Sequence, residues 1–230
     1  MKPSTQQTLQ GSNALLVVCG LVCVYMLSFL AMRIVMQVVF VPQAVMQDIW
    51  IMHEMGSRLD FRIICMGMAA LLLLIYAVQI VSFINTKRSK HNMSHTTKRN
   101  IGHTLIVSYI ALMSFLVCFS AIGNFYYYKT YHTKIDVFIF GLKDDDTLAV
   151  LKIMWQDYPV ILILLACILY SFACVKLSKK LISLTIPTLR IRTLIVLHIV
   201  TLLVVILGIR GSVGTQPLKE TTIDTTQNQS

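Results

Sequence analysis

Three places in this chain hold residue types that do chemistry in other proteins. Asp144, Asp145 and Asp146 form an acidic run in the longest polar insert. His53 and Glu54 stand side by side. His91 and His95 are four positions apart, a spacing at which two imidazoles on one helix can share a metal ion. None of the three completes a constellation. Three consecutive aspartates cannot all face one ion without further ligands. As acids ahead of a helical pattern, they suit the free N–H groups and positive dipole of a helix start. A divalent-ion site in the external loop is the sharper reading of these residues, and a helix cap is the plainer one. Neighbours on a helix point in different directions, so His53 and Glu54 read as a solvated or interfacial pair. The second histidine of H-E-x-x-H is missing there, and G-x-S-x-G does not occur in the chain. His91 and His95 lie among Asn, Ser and Thr with no third ligand in view. No catalytic residue, metal-ligand set or cofactor is therefore assigned.

The elements that would position these residues are apolar. Of 230 residues, 56% are hydrophobic and 13% charged, with a mean hydropathy of +0.72. Soluble domains carry roughly a quarter charged residues, so the balance points to a membrane protein. The net charge of +10 does not mark a nucleic-acid surface, because the cations cluster in short segments between apolar runs. No nucleic-acid partner is expected; lysines facing anionic lipid explain the charge. All six cysteines fall inside apolar runs and read as small buried residues.

The fold class expected is all-α: a polytopic membrane protein with five transmembrane helices and an external loop containing an interfacial helix. Residues 1–12 form a cytoplasmic N-terminus, 13–209 the transmembrane domain and 210–230 an external polar tail. The spans fall at about 14–41, 62–84, 103–125, 159–176 and 193–209. The first is too long for a signal-peptide core and reads as a retained helix. Within it, Arg33 lies almost 30 Å from the helix start at about 1.5 Å per residue. It can snorkel to the interface, or it can sit inside the bundle against a lipid phosphate or a neighbouring acid. Residues 42–60 read as the first loop, partly lying on the membrane surface, since Ile49, Met52 and Met55 recur at helical spacing. His198, in the last span, is expected to bond to a neighbouring helix.

Two connectors, Asn85–Asn100 and Lys176–Arg192, each hold five cations and no acid. Both belong on the cytoplasmic side, which sends the N-terminus in and the C-terminus out. The second alternates apolar and basic residues and is expected to lie along the membrane face. In the external insert, Ile135–Phe140 has extended-chain residues, Gly141 breaks it, and Leu148, Leu151, Met154 and Trp155 then share one helical face before Pro159.

That insert, TKIDVFIFGLKDDDTLAVLKIMWQDYP, resembles the external loop of the lipoteichoic acid synthase family, above all its sulfatase-like members in Gram-negative bacteria. The segment IRGSVGTQPL at Ile209–Leu218 is similar to the stretch that follows the last span there. The resemblance covers residues 13–218 and implies a multi-pass protein of the bacterial inner membrane. It also implies transfer of phosphoglycerol from lipid donors, performed by an exported phosphatase-fold domain with a threonine nucleophile and a bound metal. Such a domain would follow Leu218, where Lys219–Ser230 supply 12 residues without His or Cys. No catalytic residue carries over, and the family's metal site belongs to that domain. The expectation is thus a truncated chain, not an enzyme by itself. It would anchor or position lipid for an exported phosphatase-fold domain, a separately encoded one being the partner expected, with Arg33, Arg62 and Arg210 as candidate lipid-headgroup cations. The alternative is a stand-alone transporter or lipid-binding protein.

Overall fold

In hydrocarbon no water is present to satisfy a backbone amide, so runs this apolar must close their hydrogen bonds within helices. The computed structural model describes residues 3–40, 46–88, 95–131, 155, 158–183 and 191–210, and among them there is no strand. The helices are α1 (Pro3–Phe40), α2 (Met46–Arg88), α3 (His95–Tyr131), α4 (Val160–Ser183) and α5 (Ile191–Arg210). Each holds a stretch long and apolar enough to cross a membrane: Asn13–Phe40, Met52–Val81, Ile101–Thr130, Val160–Ser183 and Arg192–Arg210. The chain is an all-α polytopic membrane protein.

Four helices, α1, α2, α3 and α4, overrun the expected spans by more than a turn. α2 takes up most of the segment read as a first loop, running unbroken from Met46 to Arg88. No proline interrupts it, its two glycines, Gly56 and Gly67, are tolerated, and Asp60 is charge-compensated by α1. At 43 residues it is about 65 Å long, against a hydrocarbon core of about 30 Å, so its N-terminal part projects past the membrane. α1 begins at Pro3, a residue suited to the first helical position, so the polar N-terminus is helical too. α4 continues to Ser183 and carries Lys176, Lys179 and Lys180 in its last turns, so this part of the second connector extends a span. At its start, Ile163 N–H donates to Pro159 O at 3.0 Å. The extended segment 135–140, Asp144, Asp145, Asp146 and the interfacial helix from Thr147 lie outside the described residues, apart from Trp155 and Tyr158. The tail after Arg210 also lies outside them.

α1 packs against α2, α3 and α4 and touches α5 lightly; α2 also packs on α3 and α5, and α3 on α4. The core gathers Leu21 and Tyr25 of α1, Ile64, Met68 and Leu71 of α2, Ile110 of α3, Cys174 of α4 and Val205 of α5. α4 buries a seam of small residues, Cys167, Ser171, Cys174 and Ser178. Their spacing of four, three and four keeps them on one face. With no hydrophobic drive between helices in lipid, small side chains at the seam let backbones approach closely. The large apolar residues left outside, such as Leu73, Ile161 and Leu203, face lipid.

Gly208 shows the same device on α5. A Cβ there would collide with Cys65 Sγ and come within 2.9 Å of Phe61 Cε1 on α2. Gly208→Leu is expected to push α5 off α2 and cost about 1–3 kcal/mol. Gly123, where a Cβ meets nothing within 4 Å, supplies the comparison. Gly123→Ala is expected to be neutral or to gain up to about 1 kcal/mol through helix propensity. Unfolding of both variants in mixed micelles with increasing SDS measures the difference.

Candidate functional site

The densest polar cluster joins the C-terminal part of α1 to the N-terminal part of α2. Arg33 forms an ion pair with Asp60, and the two side chains are 15% and 17% exposed. Arg33 Nη1 also donates to His53 O at 3.1 Å and to Ser57 Oγ at 3.0 Å. His53 Nε2–H donates to Gln37 Oε1 at 2.7 Å, which ties the same two helices one turn further along. Helical side chains lean toward their own N-terminus, so Arg33 reaches away from the α1–α2 turn and meets Asp60 deeper on α2. Gly56 makes room: a Cβ there would collide with the guanidinium. Of the two placements open to Arg33, the structure has the neighbouring acid. Three guanidinium N–H groups go to α2 acceptors and the charge is compensated. Glu54 points outward and pairs instead with Arg58 at 2.6 Å.

Arg62 and Arg210 fall at the same level. Phe61 and Cys65 of α2 lie against Gly208 of α5, which brings Arg62 and Arg210 to the same end of the bundle. Both arginines are engaged in interactions of their own. The fold thus brings Arg33, Arg62 and Arg210, distant in sequence, to one end of the bundle. An aromatic collar stands at the same end. Phe40 of α1 packs on Phe125 and Tyr128 of α3, with ring centroids 5.4 and 5.2 Å apart. Tyr126 packs on Tyr158 at 5.3 Å. Tyr158 OH donates to Thr130 Oγ1 at 2.5 Å, since the threonine proton goes to Tyr126 O. Both ends of the long insert are therefore fixed to each other. Aromatic girdles of this kind sit at headgroup level. Trp155, Tyr158 and Pro159 also border a shallow apolar hollow with Leu162 of α4.

The interior polar groups are spent on one another. Tyr25 OH donates to Ser114 Oγ at 2.7 Å, while Ser114 donates to Ile110 O. Tyr170 OH donates to Ser28 Oγ at 2.7 Å, while Ser28 donates to Val24 O. The same motif, a tyrosine capping a serine whose proton bonds its own helix, thus joins α1 to α3 and α1 to α4. Tyr109 donates to Gly67 O, joining α3 to α2. At the opposite, lysine-rich end, Asn13 Nδ2 donates to Ile182 O at 2.8 Å.

His198 corrects an expectation. Its Nδ1 bonds Leu194 O on its own helix at 2.8 Å, and its contact with a neighbour is ring packing on Tyr76 at 6.1 Å. A carbonyl four residues back is always within reach of a helical side chain and competes with any partner across the seam. The six cysteines are free thiols. Among the described residues, no three His, Cys, Asp or Glu side chains cluster in a way that could hold a metal. The sequence singled out Arg33 but not its partner Ser57, nor the His53–Gln37 bond beside it. The available signal was that an arginine in an apolar run needs a counterion, and the next helix offers Asp60.

Comparison with protein-family models, with curated proteins and with solved structures finds no match.

Proposed function

We propose that this chain is a non-catalytic membrane scaffold that holds lipid headgroups at its external end for an exported phosphatase-fold domain. The observation that carries the scaffold reading is how the bundle spends its polar side chains. Tyr25, Ser28, Ser114, Tyr170, Arg33 and Asp60 all bond helix to helix. A bundle that commits these groups to static ties is built to keep a shape. The finer reading rests on the loop and tail resemblance to the lipoteichoic acid synthase family, together with the gathering of Arg33, Arg62 and Arg210 below an aromatic collar. The collar belongs outside and the lysine-rich connectors inside, by the positive-inside rule. A bacterial inner membrane is the setting this implies. Within the cluster, Arg33 serves as the interhelical tie, and Arg62 and Arg210 are the cations assigned to headgroups.

The test is a reconstitution. The chain is placed in vesicles of anionic phospholipid and assayed for phosphoglycerol transfer, alone and with a soluble phosphatase-fold domain of the synthase type. No turnover by the chain alone, and faster membrane turnover by the domain when the chain is present, is the expected pair of results. Turnover by the chain alone overturns the reading, as does a domain indifferent to it.

A further inference from the structure

The lysine-rich end has a second feature, which the scaffold reading leaves unused. α1 meets α4 through Asn13, Gly20 and Ser28, α3 through Tyr25 and Phe40, and α2 through Arg33 and Gln37. At 3.6 residues per turn these contacts leave one face of α1 uncovered, between its α4 side and its α2 side. That face carries Cys19, Cys23, Leu27, Leu30 and Ile34, all exposed, with Leu27 at 62%. α5 packs on α2 and touches α1 lightly, while α4 packs on α3 and α1. Among the described residues no packed interface joins α4 to α5. The uncovered face of α1 is therefore the floor of a lengthwise cleft between them.

The cleft's walls are apolar and its mouth is basic. Leu169 is exposed on the same side of α4 as Lys180, eleven positions on, and the large side chains that α5 exposes between Arg192 and Arg210 are all apolar. Lys176, Lys179 and Lys180 are exposed on the last turns of α4, and Arg192 on the first turn of α5. Leu181 lies on Gly20, at a distance of 2.6 Å from where its Cβ would stand, so Lys180 is level with the Cys19 end of the floor. The chain between Ser183 and Ile191 is short, which brings Arg192 to the same end. Lys176 Nζ sits 4.5 Å from the centroid of Phe172, its stem laid along the lipid-facing side of α4. No acid occurs in α4 or α5 to neutralise these cations. Asn13 Oδ1, at this same end, is buried without a hydrogen-bond donor among the described residues.

We propose that this cleft is a binding site for an anionic phospholipid of the leaflet on the lysine-rich side. Its phosphate lies between Lys180 and Arg192, and its acyl chains run along Cys19, Cys23, Leu27 and Leu30. An apolar slot closed by fixed cations matches a molecule with an anionic head and two hydrocarbon tails. A second copy's helix would fill the slot but would leave the cations unanswered. The site is at the opposite end from Arg33, Arg62 and Arg210, so it stands or falls independently of the scaffold reading.

The experiment uses the full chain in nanodiscs of phosphatidylcholine containing a minor share of phosphatidylglycerol, with co-released lipid counted by native mass spectrometry. Phosphatidylglycerol is expected to stay bound to the wild-type monomer. Each cation removed should weaken retention roughly fivefold, and Lys180→Ala with Arg192→Ala together roughly 25-fold. Leu27→Trp, which fills the floor and leaves the charges in place, should weaken it too. Lys180→Arg with Arg192→Lys should retain lipid and shows that the fold survives change at these positions. Lys129→Ala, at the far end of α3, should change nothing. Equal retention of phosphatidylcholine overturns the proposal, as does full retention by the double alanine variant. A lipid-free dimer as the dominant species also overturns it and assigns the cleft to a second copy.

Discussion

Asp60→Ala is expected to cost the bundle about 3 kcal/mol, the lower end of what breaking a buried ion pair costs. The loss does not come from the attraction alone. The variant leaves the Arg33 guanidinium largely out of water, next to Gly56, with its charge uncompensated. The remaining bonds to His53 O and Ser57 Oγ supply acceptors but no negative charge. Removing both partners should behave differently. Arg33→Met with Asp60→Leu exchanges the pair for apolar side chains and is expected to return to within about 1 kcal/mol of wild type. The exposed Glu54–Arg58 pair, one helix face away, gives the scale of an ordinary surface bridge, and Glu54→Ala should cost only about 0.3–0.5 kcal/mol. Unfolding midpoints in SDS-containing micelles, compared across these variants, separate the three cases. A single Asp60→Ala that is neutral would show that Arg33 does not depend on Asp60.

Tyr25→Ala should be as damaging, for a different reason. Tyr25 is fully buried and, among the described residues, is the largest side chain that is so. It touches the region where α1, α3 and α4 converge, and truncation leaves a cavity that neighbouring helices can close only in part. A loss of about 3–5 kcal/mol is expected, as for other buried aromatic-to-alanine changes. Tyr25→Phe keeps the ring and removes only the donor to Ser114. Interhelical hydrogen bonds in membranes average about 0.6 kcal/mol, so this variant should lose about that much. Ser114 loses a donor but keeps its own bond to Ile110 O. The contrast assigns the stabilisation to packing. If Tyr25→Phe lost as much as Tyr25→Ala, the hydroxyl pair would be the dominant tie.

The spans were legible in the sequence because length and apolarity alone set them, and Pro42 and Pro159 punctuate two of their ends. The packing was less so. Arg33 announced that it needed a partner, but Asp48, Glu54 and Asp60 were equal candidates until α1 and α2 were placed side by side. Which acid faces inward depends on where α2 begins, and Ile49, Met52 and Met55 fit a surface helix as well as the first turns of a long one. α2 continues because nothing in its sequence stops it. The seam at Cys167, Ser171, Cys174 and Ser178 has a readable spacing, yet small residues in an apolar run look alike whether they face a helix or lipid. The two tyrosine–serine pairs were invisible, since Tyr25 and Ser114 are 89 positions apart and only tertiary packing sets their register.

Every functional reading of the collar and its three arginines requires that this end face outward. Paired reporter fusions test that most directly. A phosphatase that matures only after export, fused after Ser230, is expected to be active, and a fluorescent protein that folds only in the cytoplasm should be dark there. Fused at Asn92, in the first lysine-rich connector, the two should exchange behaviour. A bright cytoplasmic reporter after Ser230 would contradict the orientation, and with it the placement of Arg62 and Arg210 at an external headgroup layer.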